Sequence, residues 1–216
     1  MIVKSKLLSA SAVLACLLGA ASSANATPVL DQSQLSYDIG VPFIFSPTFP
    51  DYPLGQSFTA GLSGVLADIN VFANGDITGG GNTLTLDIYA GNGVGGTLLG
   101  SETQAATITY NAGLNLNVLS VNVSGLGIDV KSGSQYTFAF TNLGGSGDLA
   151  TQGILGSDSN PYAGGQIYTG PGYGSPAQWD LAFQTEVSAI PEPKTSVLML
   201  AGLALWGCIG SRRKQG

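Results

Sequence analysis

In VLADINVF, residues 65–72, apolar side chains fall at Val65, Ala67, Ile69 and Val71, with Asp68 and Asn70 between them. A period of two sends alternate side chains to opposite faces of an extended chain, so the segment reads as a strand with one buried face. The pattern returns in NTLTLDIYA (82–90) with Leu84, Leu86 and Ile88 inward, and in LSVNV (119–123) with Leu119, Val121 and Val123. QYTFAF (135–140) places Tyr136, Phe138 and Phe140 inward, and WDLAFQTEV (179–187) places Trp179, Leu181, Phe183 and Val187. Weaker alternation marks further candidates at 37–45, 56–60, 98–103, 106–110, 149–155 and 166–168. Between residues 27 and 190 no stretch of ten or more shows the 3.6-residue apolar spacing of a helix. Clusters such as ANGDITGGGN and AGNGVGG separate the strands and supply the positive φ angles of tight turns. About ten short strands joined by such turns predict an all-β body, an antiparallel β-sandwich of jelly-roll type.

The two ends of the chain follow other rules. Residues 1–26 run from a basic start, MIVKSK, through the apolar LLSASAVLACLLGA to Ala24-Asn25-Ala26, a small-x-small cleavage pattern. This order predicts a helical secretory signal peptide cut after Ala26. A lipoprotein start at Cys16 is disfavoured, because LLGA after it continues the apolar core. At the other end, residues 191–216 open with Pro191-Glu192-Pro193, continue through an apolar run at 196–211 and close on Arg212, Arg213 and Lys214. Sixteen residues in a helix rise about 24 Å, short of the roughly 30 Å of a bilayer core but too apolar all round for a surface helix. The three cations would hold that end in the cytoplasm, leaving the body outside. The prediction is a hydrophobic helix that anchors the chain in the inner membrane, transiently or permanently, with three segments in all: 1–26, 27–190 and 191–216.

The order of parts in residues 191–216, together with the signal peptide, resembles the PEP-CTERM sorting signal of Gram-negative envelope proteins, a signal also labelled an ice-binding protein C-terminus. The resemblance implies recognition by an exosortase, a membrane-embedded cysteine transpeptidase that cuts near the Pro-Glu-Pro motif, in bacteria that make extracellular polysaccharide. It makes Pro191, Glu192, Pro193, Arg212, Arg213 and Lys214 the sorting residues. Lys194 and Cys208 are less usual in that pattern. The body also resembles secreted choice-of-anchor β-sandwich domains, in which a segment like QSFTAG opens the domain and one like WDLAFQTEV closes it. That second resemblance implies a non-catalytic surface module and names no ligand.

Charge limits what the body can meet. Lys131 is its one basic residue against twelve acids, leaving it about 11 units negative, which excludes nucleic acid and anionic lipid as partners. The chain has no histidine, and both cysteines, Cys16 and Cys208, sit in the terminal segments. A mature body without either residue type holds no disulfide, no thiolate nucleophile, no zinc site of the usual kind and no imidazole base for a serine. Carboxylate chemistry and calcium ligation stay open. Calcium would draw on Asn74, Asp76, Asp87 and the 158–160 group, although no EF-hand or nonapeptide spacing is present and solvated turns account for these residues better than a site does. No metal or other cofactor is therefore expected. A glycosidase would need two acids about 5–10 Å apart in a cleft, and nothing in the sequence pairs the scattered acids that way. Thr-x-Thr pairs at 83/85 and 107/109 lack the repeats of an ice-binding face.

The segment at 157–179 is the longest with little strand character, and it carries Tyr162, Tyr168, Tyr173 and Trp179. Flat aromatics on a glycine-rich loop beside Asn160 and Gln166 suit a sugar: the rings receive pyranose C–H faces and the amides fix hydroxyls. Tyr162, Tyr173, Asn160 and Gln166 are the glycan-binding candidates, against the competing reading of core-covering aromatics in an ordered loop. The expected function is a non-catalytic exported envelope or matrix protein. The alternatives are a carbohydrate-binding module in contact with extracellular polysaccharide and a carboxylate-based glycan-active enzyme.

Overall fold

The computed structural model of the chain describes residues 26–41, 53–73, 83–144, 153–169 and 178–189, with backbone alone over 141–144. Apart from Ala26, both terminal segments, and with them the predicted signal helix, the predicted hydrophobic helix and every sorting residue, lie outside the described residues, as do Tyr173, Asn74 and Asp76. Thr27–Ile190 forms one compact unit. Its strands in chain order are β1 (Val29–Gln34), β2 (Ile39–Val41), β3 (Leu54–Thr59), β4 (Gly64–Ala73), β5 (Thr83–Ala90), β6 (Leu98–Ala105) and β7 (Ile108–Asn111). There follow β8 (Leu116–Asn122), β9 (Asp129–Val130), β10 (Gln135–Gly144), β11 (Ile154–Ser157), β12 (Ile167–Tyr168), β13 (Asp180–Leu181) and β14 (Phe183–Ser188). Among the described residues the sole helix is a three-residue 3-10 turn at Ser124–Leu126, and no helix is long and apolar enough to cross a membrane.

Two antiparallel sheets result. The first is centred on β4, which pairs with β14 on one side and with β8 and β9 on the other; β1 lies outside β14, and β7 outside β8. β11, flanked by β2 and β13, extends this sheet from the end of β4. The second runs β12-β3-β10-β5-β6. The predicted inward residues of β5, β8 and β10 enter one buried cluster with Leu181, Phe183 and Val187. Phe138 of the second sheet meets Phe183 of the first at 5.7 Å between ring centroids, so the sheets face each other across an aromatic core.

In β4 the inward set differs from the expected one. Glu186 pairs with Asp68 but Val187 with Leu66, leaving Ala67 as the extra residue of a β-bulge. The bulge shifts the alternation by one, so Leu66 replaces Val65 in the core, while Ile69 and Val71 keep their places. Phe72 is buried too, because the outer face of this sheet carries a small second cluster. There Phe72, Val118, Leu155 and Ala182 lie under Leu35, Leu114 and Leu116. β1 went unrecognised in the sequence because as an edge strand it exposes half its length, Val29 and Leu30 included. Val29 pairs with Val187, so the body's first and last strands leave from the same end of the sheet.

Candidate functional site

The described part of the 157–179 segment packs inward at its aromatic positions. Tyr162 is half-buried, with its ring edge-on to Phe183 at 5.1 Å and 89°. Its hydroxyl donates to Gln32 Oε1 (2.9 Å) and accepts from the Thr59 N–H (3.2 Å). Burial raises the phenol's pKa, opposed by the Thr59 contact and reinforced by Asp31 and Asp180. Asn160 is exposed in the left-handed region at φ 49°. Gln166 acts through its backbone: its N–H donates to Ser57 Oγ (2.9 Å) and its carbonyl accepts from the Ser57 N–H (2.9 Å). That approach of loop to β3 requires Gly165, where a Cβ would lie 1.8 Å from Ser57 O. Trp179 is half-buried against the core, as Tyr162 is.

Beside this loop, the two sheets are tied by a buried polar pair that alternation could not reveal. Asp180, fully buried, accepts from Gln56 Nε2 (2.8 Å) and from the Tyr162 N–H (2.9 Å). Gln56, also fully buried, donates again to Ser57 O (3.1 Å) and accepts from the Leu181 N–H (2.9 Å). Desolvation raises the pKa of Asp180, and the Tyr162 and Gln56 donors pull it back. With every polar atom paired, the cluster is architecture joining QSFTAG to WDLAFQTEV, with no free valence for a substrate.

A second feature lies on the outer face of the β4 sheet, the side to which Asp68 and Asn70 alternate. The strand register aligns Gln184, Asn70 and Ser120 in one row across β14, β4 and β8, and Glu186, Asp68 and Asn122 in the next. The β7–β8 hairpin, whose turn is held by Asn111 Oδ1 accepting from the Gly113 and Leu114 N–H groups, brings Leu114 over Phe72 and raises one wall. The result is an open groove of about 410 Å³ lined by Asn70, Thr109, Tyr110, Ser120, Gln184 and Glu186, among others. Tyr110 is 61% exposed, and its hydroxyl donates to Asn115 Oδ1 at 2.5 Å. Gln184 donates to Ser33 Oγ (3.1 Å), whereas Asn70, Thr109, Ser120 and Glu186 have no side-chain hydrogen bond among the described residues.

Among the described residues no group of three or more His, Cys, Asp or Glu side chains is placed to hold a metal ion. Of the calcium candidates, Asp87 accepts from the Tyr89 hydroxyl (3.2 Å), and the Asp158 N–H donates to Asp38 Oδ1 (3.2 Å).

Fold and groove together define the body as an all-β, two-sheet module with a polar, open groove. The chain also carries the PEP-CTERM protein-sorting motif, whose family model matches residues 189–214, starting directly after β14. This signal is recognised by exosortase on exported, envelope-associated proteins, and the match takes in Pro191, Glu192, Pro193, Arg212, Arg213 and Lys214. Among curated proteins no match is found.

Proposed function

We propose that the body is a non-catalytic component of the cell envelope or the extracellular polysaccharide matrix. The chain is exported through its signal peptide, held transiently in the inner membrane by residues 196–211, and cut near Pro191-Glu192-Pro193. The observation that carries this reading is the sorting motif, which begins at residue 189, one residue after the last strand ends, so cutting there spares the whole sandwich. A jelly-roll connectivity and kinship with choice-of-anchor domains belong to the same proposal. Non-catalytic character is supported by the lack of histidine in the chain and of cysteine in the body, which removes thiolate nucleophiles and imidazole bases.

Mass spectrometry of the native exported protein tests the reading. It should show a mature start near Thr27 and loss of the chain beyond the Pro191–Pro193 region. Intact peptides covering residues 206–214 in the exported protein would overturn it in favour of a permanent anchor, and reducing ends released from a polysaccharide would overturn its non-catalytic part.

A further inference from the structure

We propose that the groove on the outer face of the β4 sheet is a binding site for an uncharged polysaccharide, with Tyr110 as its aromatic platform. The proposal deepens the carbohydrate-binding alternative and moves it away from the 157–179 loop, where Tyr162 is committed to Phe183, Gln32 and Thr59. It does not depend on the sorting reading.

Three observations carry it. The first is size and shape: about 410 Å³ lies within the range of roughly 300–1,000 Å³ typical of small-ligand sites, and the groove is open to solvent, so a sugar chain can reach it from the surface. The second is chemistry. Asn70, Thr109, Ser120 and Glu186 offer amide, hydroxyl and carboxylate groups with no partner among the described residues, and Gln184 adds an amide in the same row as Asn70 and Ser120. Sugar hydroxyls both donate and accept, so they match this mixed set, which a purely apolar ligand would leave unpaired at a cost. The third is the platform. Tyr37 and Tyr110 are the exposed tyrosines among the described residues, and Tyr110 is the one that lines the groove. Its bond to Asn115 fixes the ring, giving a flat surface for pyranose C–H groups at little entropic cost.

Charge selects among glycans. Glu186 in the groove and the strongly acidic body repel uronate or sulfate groups, so a neutral hexose polymer is favoured over an anionic one.

Affinity electrophoresis of the exported protein through gels containing hydroxyethylcellulose, a soluble β-1,3-glucan, a galactomannan or alginate tests the proposal. At least one of the three neutral polymers should retard the protein, and alginate should not. Tyr110→Ala should weaken the retardation about tenfold, and Ser120→Trp, which fills the groove, should abolish it. Tyr37→Ala should leave it unchanged, and far-UV circular dichroism should confirm that each variant is folded. Retardation by none of the neutral polymers, equal retardation by alginate, or retardation that survives both groove substitutions would overturn the assignment.

Discussion

Replacing Gln56 with Met keeps nearly the same side-chain volume at the centre of the sandwich but deletes every hydrogen bond of the Gln56 side chain. The Leu181 N–H loses its acceptor and the Asp180 carboxylate loses one of its two donors. Each buried group left unpaired costs about 1–3 kcal/mol, with the carboxylate toward the upper end, so Gln56→Met should destabilise the body by about 3–5 kcal/mol at neutral pH. That is a large share of the roughly 5–15 kcal/mol that holds a typical domain. The effect carries a pH signature. Asp180 has its pKa raised above the ordinary 3.8 in the folded state, so its favourable contribution is fully present below that value and is lost as pH rises through the raised folded value. The Gln56 donor lowers that pKa, and removing it pushes the folded value further up. The variant's deficit should therefore be largest at pH 7 and narrow as acidification protonates Asp180. Urea titration of Thr27–Ile190 at several pH values measures this directly, using fluorescence from Trp179, the sole tryptophan of the body and the residue next to Asp180. A deficit below about 1 kcal/mol, or one that stays flat or grows toward acid, would refute the account of a buried, donor-dependent carboxylate.

Two further substitutions probe the loop against β3 in the same assay. Tyr162→Phe strands the Thr59 N–H and the Gln32 amide and should cost about 1–2 kcal/mol, and Tyr162→Ala, which also empties the space against Phe183, about 2–4 kcal/mol; a neutral Tyr162→Ala would mean that the ring is not part of the packing. Gly165→Ala sets a methyl group into Ser57 O and should cost at least about 1–3 kcal/mol, visible as a lowered urea midpoint, and an unchanged midpoint would show that the loop does not rest on β3 as described.

Where one face of a strand is apolar and the other polar, the sequence was readable. β5, β8 and β10 bury the predicted residues, the short β12 lies within a predicted span, and β7 overlaps one, running a residue past it to Asn111. Reading failed where burial departs from a simple period of two. The bulge at Ala67 moved Leu66 inward, a change that depends on how β4 meets β14 and leaves no local mark. Asp180, a charged residue alternating with Trp179 and Leu181, would be assigned to solvent by pattern alone; its burial depends on Gln56, which lies 124 residues away. β1 was missed because an edge strand needs few apolar residues. The groove was hidden for a related reason: Asn70, Ser120, Gln184 and Glu186 each read as ordinary outward positions, and the cross-strand register aligns them while the β7–β8 hairpin walls them in. Tyr162 shows the converse, since a tyrosine beside glycines looks exposed until Phe183 is placed against its edge.

The pairing of Val29 with Val187 has a mechanical side. The strand from which residues 189 onward continue is not at the margin of its sheet: β14 is laced to β1 along one side and to β4 along the other, both antiparallel. Tension drawn along the axis of β14 loads two ladders in shear, with their cross-strand bonds sharing the force, instead of unzipping one edge bond by bond. Gln184 and Glu186, which line the groove, sit on that same strand within four residues of its end. A pull between a ligand in the groove and a tether beyond Ser188 would therefore run through a single doubly braced segment and bypass the rest of the sandwich, like a thread drawn lengthwise from the middle of a weave.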